Sequence, residues 1–254
     1  MNILIANDDG INAEGIRRLA EALSERADVY IAAPRTQMSA AAHSITMRKT
    51  ITVEETTFEN AEAAYMIGGT PADCVKIGMR LYKENGIDID MVYSGINHGS
   101  NLGTDTLYSG TVSAAIEGNL CGVPACAVSV SSSEAIHFDL ACDLALRTLA
   151  KYPSLDNLTT VNINTPNEPK ENIKGVKVCR LGIREYDNWF ETGKSEGGLP
   201  EFRYSGAPVI YESKNTDIDV IAMQEGYATI TPLFFDLTNH EKVWAMRRTW
   251  ELDL

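Results

Sequence analysis

The sequence predicts an α/β fold built on a doubly wound, mostly parallel β-sheet. Apolar, strand-like runs alternate with amphipathic helical segments as far as Pro166, and this alternation is typical of parallel βαβ units. Beyond Pro166 the alternation stops, and charges, glycines and aromatic residues follow without a helical period. We therefore expect a core over residues 1–166 and a C-terminal extension over 167–254, with a β-rich arm and a terminal helix.

The first strand and helix set the pattern of the core. Five of the six residues in Met1–Ala6 are apolar, which is typical of a buried strand. A helix is predicted over Glu14–Arg26, because apolar residues recur there at helical spacing. Thr70 suits the N-cap of a later helix and Pro71 its first position. Other strands are predicted at 28–34, 50–58, 64–67, 90–93, 123–130 and 160–164, and other helices from 109–111 to Gly122 and over 138–151.

The C-terminal extension is expected to contact a neighbouring subunit. Strands are predicted at Gly175–Leu181 and Ala228–Leu233, separated by an arm or hairpin over 184–225. A terminal helix is predicted over His240–Leu252, where three apolar residues share one face and two of its residues are tryptophans. A short helix of this kind after a long arm favours a role in oligomer contacts.

Composition narrows the class of protein. The chain has 254 residues, ample for a sizeable buried core, and a formal net charge of −13. That charge argues against a nucleic-acid polymer or an anionic membrane as partner, although a bound cation can still attract an anionic substrate. No signal sequence and no apolar run of about 20 residues is evident. The five cysteines contain no C-x-x-C pair and are typical of core residues in a reducing compartment. We therefore expect a soluble cytoplasmic protein.

Two adjacent acids, Asp8 and Asp9, follow the first strand directly. In an open α/β sheet, ligands bind outside the carboxyl ends of the strands. Two neighbouring carboxylates repel each other, and a divalent cation with oxygen ligands relieves that repulsion. The dipeptide alone leaves a second interpretation open, in which Asp9 caps the following helix.

Further oxygen-bearing side chains follow other predicted strands and are expected at the same edge of the sheet. Ser39 supplies a hydroxyl and Asn97 an amide oxygen, so that with the two acids they form an all-oxygen ligand set. Such a set favours one Mg²⁺ or Mn²⁺ ion, with Ca²⁺ as a third candidate, over zinc. The Ser109-Gly110-Thr111 helix start suits phosphate, although it is also an ordinary N-cap. A metal-activated water would then hydrolyse a phosphomonoester.

The chain resembles the SurE family, the survival-protein nucleotidases, across essentially its whole length. The resemblance rests on several motifs that follow one another in the family's order. They lie at residues 7–11 with 15–16, 33–34 with Ser39, 68–75, 94–101, 108–112, 162–164, and 226–227 with 230–233. It implies a Rossmann-like catalytic core and a metal-dependent 5′/3′-nucleotidase acting on nucleoside monophosphates. It also implies metal ligation by Asp8, Asp9, Ser39 and Asn97, and a homodimer or homotetramer that exchanges C-terminal elements.

Several assignments stay open at this stage. Asn12 and His98 are candidates for phosphate contact, but Asn12 equally suits a helix cap. Ala40-Ala41-Ala42 stands where the family often has glycine after the serine, which puts the path of that loop in doubt. A metal-dependent deacetylase would need histidines near the acids, and a dinucleotide-binding oxidoreductase would need G-x-G-x-x-G after the first strand. A non-catalytic, metal-dependent nucleotide-binding protein remains the alternative.

Overall fold

The computed structural model describes residues 1–152, 155–187 and 190–250. Its strands are β1 Asn2–Ala6, β2 Asp28–Pro34, β3 Val53–Thr56, β4 Ala63–Ile67, β5 Met91–His98, β6 Ala125–Val130, β7 Thr160–Thr165, β8 Val176–Val178, β9 Phe190–Lys194, β10 Pro200–Tyr204 and β11 Ala228–Leu233. Its α-helices are α1 Glu14–Ser24, α2 Pro71–Glu84, α3 Gly110–Leu120, α4 Asp139–Ala150, α5 Asp219–Gln224 and α6 His240–Trp250. None of the helices in this part of the chain is both long and apolar enough to cross a membrane.

Nine strands form one sheet in the order β3-β4-β2-β1-β5-β6-β7-β11-β8. The six strands from β4 to β7 in this order are all parallel, and β3 and β11 add to them in antiparallel fashion. Numbered in chain order, the six parallel strands follow the Rossmann order 3-2-1-4-5-6. The predicted doubly wound, mostly parallel sheet is therefore confirmed. Its topological switch point lies between β1 and β5.

Helices cover both faces of the sheet. Helices α1 and α4 pack together on one face, and α2 and α3 pack together on the other. The central strand β1 contributes Ile3 and Ile5 to the first apolar cluster and Leu4 to the second. This alternation buries both faces of β1, so the residues that follow it begin from a rigid, fully packed position.

Two local predictions were wrong. The strand predicted over 90–93 was expected to end at Tyr93, but β5 continues to His98, with a register shift against β6 between Ser94 and Asn97. Gly95 permits this, since a Cβ there would lie 2.2 Å from the carbonyl oxygen of Val128. Helix α5 was not predicted, because six residues are too short to establish a helical period.

The C-terminal extension divides into a part that joins the sheet and a part that projects from it. Strands β8 and β11 extend the sheet beyond β7. Strands β9 and β10 pair as the predicted hairpin, and every residue of both is exposed. Helix α6 begins at His240 as predicted and has no buried residue. The last two residues of its predicted span, 251–252, lie outside the described residues.

Candidate active site at the switch point

The paired acids Asp8 and Asp9 lie directly after β1, at the carboxyl edge of the sheet and at the switch point. Helix α1 has Ala13 at its N-cap, with no side-chain hydrogen bond there. The helix-cap interpretation of Asp9 is therefore wrong in this structure. Asn12, the other candidate cap, also makes no capping bond and is exposed to solvent.

Asp8 is a buried carboxylate held from the start of α3. Its Oδ1 accepts a 2.5 Å hydrogen bond from the Thr111 hydroxyl. A Cβ at Gly110 would lie 2.9 Å from Asp8 Oδ2, so only glycine allows this helix end to come so close. Burial, reinforced by the neighbouring charge of Asp9 and opposed by the Thr111 hydrogen bond, raises the pKa of Asp8 to about 6.

Asp9 and the end of β5 are joined directly. Asp9 Oδ2 accepts from the backbone N–H of His98 at 3.0 Å, and Oδ1 accepts from Gln37 Nε2 at 3.3 Å. The Asn97 amide nitrogen donates to the Gly99 carbonyl at 2.7 Å, which leaves its Oδ1 for other partners. Asn97 is the residue before His98 on β5, so its side chain belongs to the segment that contacts Asp9.

The His98 ring packs against Phe138 at a centroid distance of 5.6 Å. Its Nε2 is buried and has no hydrogen-bond partner among the described residues. A buried polar nitrogen without a partner is uncommon and marks a position where a ligand or water would satisfy it. His98 thus remains a candidate for substrate contact.

The loop that carries Ser39 is tied to the same edge. The Met38 N–H donates to the Asp8 carbonyl at 2.7 Å, and the Ile11 N–H donates to the Pro34 carbonyl at 2.9 Å. Ser39 is the next residue after this tie, and its side chain is exposed. The structure thus brings Ser39 to the neighbourhood of Asp8.

The hydroxyls at the start of α3 are already engaged. Ser109 is the N-cap, and its hydroxyl accepts from the Val112 N–H at 3.0 Å. The Thr111 hydroxyl donates to Asp8. The positive end of the helix dipole, beside Gly110, therefore remains available to an anion.

A buried asparagine network behind the site was missed by sequence reasoning. Asn164 Oδ1 accepts from the Asn101 N–H at 2.7 Å, and Asn162 Nδ2 donates to the Asn101 carbonyl at 2.9 Å. The Asn101 side chain donates to Ser129 at 2.9 Å. The loop after β5 is therefore fastened to β6 and β7. The signals in the sequence were the two asparagines in the strand predicted at 160–164 and their place, with Asn101, in the motifs 162–164 and 94–101.

The C-terminal extension also supports this loop. Asp219, fully buried at the start of α5, accepts from the N–H groups of Gly103 at 2.7 Å and Gly182 at 2.8 Å. Arg184 lies 3.2 Å from Asp105, to which the sequence assigned no role. Both contacts join the segment after β5 to residues beyond 180.

Together these contacts define a Rossmann-like α/β protein with two carboxylates, an amide and a serine loop converging at the switch point, beside a helix N-terminus. Within the described residues no three His, Cys, Asp or Glu side chains form a cluster able to hold a metal ion. A cation at this edge would therefore need amide or hydroxyl oxygens in addition to Asp8 and Asp9, and those are the groups present.

The chain matches the family model of the survival protein SurE over residues 3–188. It therefore belongs to the SurE family, as the sequence predicted. A 5′-nucleotidase SurE from Syntrophomonas wolfei is 42% identical over 98% of this chain and 95% of its own length. One from Clostridium botulinum is 44% identical over 94% of this chain and 95% of its own. The crystal structure of the SurE protein from Aquifex aeolicus superposes with a TM-score of 0.85 at 33% identity, covering 99% of this chain and 100% of that one.

Proposed function

We propose that this protein is a phosphomonoester hydrolase that removes phosphate from nucleoside 5′-monophosphates and 3′-monophosphates. The curated relatives described above are 5′-nucleotidases, which supports the 5′ activity. The observation that carries the proposal is the pairing of Asp8 with the N-terminus of α3 at the switch point. That pairing offers acidic oxygens for a cation and a helix dipole for an anion within one site.

We further propose that Asp8, Asp9, Ser39 and Asn97 hold one divalent cation, Mg²⁺ or Mn²⁺, with Ca²⁺ as a third candidate. The donors are all oxygen atoms, which suits these hard ions. A cation beside the buried Asp8 would favour the ionised form of this carboxylate, which burial opposes. When bound, such a cation polarises a phosphoryl oxygen and lowers the pKa of a coordinated water.

The chain's own groups then have distinct tasks. Thr111 holds one oxygen of Asp8, and the backbone N–H of His98 holds one oxygen of Asp9, so each acid keeps a fixed orientation. The N-terminus of α3, from Ser109 to Thr111, favours the phosphate by its dipole. Asn12, exposed at the start of α1, and the unpartnered Nε2 of His98 are the proposed further substrate contacts.

The test is phosphate release from 5′-AMP and 3′-AMP by the full-length chain, with Mg²⁺, with Mn²⁺ and with EDTA. We expect turnover with either metal and its loss in EDTA, restored by adding excess metal. Nucleotide binding with metal but no phosphate release would replace this proposal by the non-catalytic alternative. Turnover of 5′-AMP but not of 3′-AMP would contradict the proposed 3′ activity and leave the other parts of the proposal standing.

We propose that the protein assembles as a homodimer or homotetramer through its C-terminal extension. Large apolar side chains are exposed on the hairpin and on α6, among them Phe202, Tyr204, Trp244 and Trp250. Apolar surface of this kind on a folded chain is typical of protein–protein contacts. A cytoplasmic location stays a prediction.

A further inference from the structure

Glu117 is a buried carboxylate in the middle of α3, a helix whose neighbouring side chains are mostly small or apolar. Its two oxygens face two different elements. Oε2 lies 2.8 Å from Nε2 of His43, and Oε1 accepts from Nζ of Lys76 on α2 at 2.6 Å. Burial alone raises a carboxyl pKa, but the hydrogen bonds from His43 and Lys76 outweigh it and hold the pKa of Glu117 below its ordinary value. A buried charge is tolerated only with such partners.

His43 belongs to the loop that carries Ser39, and this loop is fixed on both sides of Ser39. On one side the Met38 N–H donates to the Asp8 carbonyl at 2.7 Å. On the other side the Ala42 N–H donates to the Tyr108 carbonyl at 3.1 Å, and the contact between His43 and Glu117 follows immediately. These contacts at the two ends of the loop therefore fix its path through Ser39.

The backbone between the ties is strained. Ala40 and Ala42 have φ angles of 55° and 50°, in the left-handed region. This conformation is strained for any residue other than glycine and persists only where its surroundings enforce it. Strong end contacts, such as the buried carboxylate of Glu117, provide that enforcement.

Ser39 differs from the other three candidate ligands in how it is held. Asp8 is fixed by Thr111, Asp9 by the His98 N–H, and the Asn97 side chain by the Gly99 carbonyl. No hydrogen bond of the Ser39 hydroxyl is found within the described part of the chain. Its position depends on the loop ends alone.

We infer that Glu117 is a positioning residue for the metal site, acting through His43 to hold the Ser39 loop against α3. The inference rests on the proposed function, because it takes Ser39 as a ligand of the cation. The same helix thus orients Asp8 from its N-terminus, through Thr111, and the Ser39 loop from its middle, through Glu117.

Lys76 offers a matched control. It contacts the same carboxylate as His43, but from α2 and not from the Ser39 loop, and its side chain is half-exposed. Lys76→Met removes one of the two partners of Glu117 without touching the loop. An effect due only to weakened pairing of the buried charge would appear in Lys76→Met and His43→Ala alike.

The experiment measures Mn²⁺ binding by calorimetry, hydrogen exchange of residues 38–46, and phosphate release from 5′-AMP. We expect His43→Ala and Glu117→Gln to weaken Mn²⁺ binding about tenfold and to speed exchange in the loop. His43→Gln, whose amide can donate to Glu117, should restore binding to within about threefold of the unmodified chain. Lys76→Met should bind Mn²⁺ within about twofold of the unmodified chain. In a Ser39→Ala background, His43→Ala should weaken binding less than twofold further, because the ligand it positions is gone.

Wild-type Mn²⁺ affinity in His43→Ala, or equal losses in His43→Ala and Lys76→Met, would overturn the inference. So would full additivity of His43→Ala with Ser39→Ala. If Glu117→Gln fails to fold, the half-exposed His43 still provides the test. An unmodified chain that neither binds Mn²⁺ nor releases phosphate would refute the proposed function itself, whereas active, metal-binding variants that all match the unmodified chain would refute only the positioning role.

Discussion

The switch-point edge and the projecting C-terminal segments differ in the kind of side chain that each buries or exposes. At the switch point, polar side chains such as Asp8, Asn101 and Asp219 are buried, and each has a hydrogen-bond partner from a different element. On β9, β10 and α6, apolar side chains such as Phe202 and Trp244 face solvent.

The difference shows which properties each region controls. An active site needs polar groups that are held rigidly by hydrogen bonds to one another, because catalysis depends on preorganised charge. Exposed apolar groups contribute little to the subunit's own stability but much to association. Substitutions at the first region should therefore change chemistry and folding, and those at the second should change assembly.

Asp9→Asn should produce the largest effect, a loss of at least about 100-fold in kcat for 5′-AMP. The substitution keeps the side-chain size but removes the negative charge proposed to hold the cation. Steady-state phosphate release with saturating Mn²⁺ measures it. Asp28→Asn is the control, since that exposed carboxylate lies at the opposite end of β2 and should leave kcat unchanged. Full activity in Asp9→Asn would contradict the proposed mechanism.

Asn164→Ala should lower the free energy of unfolding by about 2–3 kcal/mol, since it leaves the buried Asn101 N–H without its partner and removes one of the two hydrogen bonds to the Asn101 carbonyl. Urea denaturation followed by circular dichroism provides the value. Asn172→Ala, at an exposed position, should stay within about 0.5 kcal/mol of the unmodified chain. Equal effects of the two substitutions would mean that the network behind the site adds no stability.

Asp8→Asn should stabilise the metal-free protein above pH 6 by about 1–3 kcal/mol. The pKa of Asp8 is raised from 3.8 to about 6, so the folded state holds its proton more tightly than the unfolded state. Stability from this group is present at low pH and is lost as the pH rises from about 4 through about 6. Denaturation in EDTA at pH 4 and pH 7.5 should show the gain only at the higher pH. A gain of equal size at both pH values would exclude ionisation of Asp8 as the cause.

The double variant Trp244→Ser, Met246→Ser should change the unfolding free energy of the separated subunit by less than about 0.5 kcal/mol. It should nevertheless shift the sedimentation coefficient towards that of a single chain, because both side chains are exposed on α6. Glu241→Gln on the same helix serves as the control. An unchanged assembly in the double variant would remove α6 from the proposed interface.

Sequence reasoning succeeded where a feature follows from local pattern and sheet geometry. Apolar patterning predicted β1 and α1, and the Thr70-Pro71 pair predicted the N-cap of α2. The rule that parallel strands end at one edge placed Asp8 and Asp9 at the same edge as Asn97, and the structure joins Asp9 to His98, the residue after Asn97. These inferences need no knowledge of which side chains contact one another.

Sequence reasoning failed where a residue's role depends on a distant partner. Gly95 falls beyond the strand predicted over 90–93, although its lack of a side chain lets β5 pack against Val128. Asn164 and Glu117 look like ordinary polar positions of a strand and a helix. Their importance comes from Asn101 and His43, which lie far away in the sequence.

The place of β11 in the sheet affects how the protein is made. Strand β7 pairs with β6, which precedes it, and with β11, which the ribosome produces only after the whole segment between residues 165 and 228. Until then β7 is an open sheet edge, a template for pairing with other nascent chains. The acceptor for Gly103, Asp219, emerges equally late. The loop behind the acids therefore gains the support of Asp219 only after the C-terminal extension has been synthesised, so a chain truncated before residue 219 would lack that support.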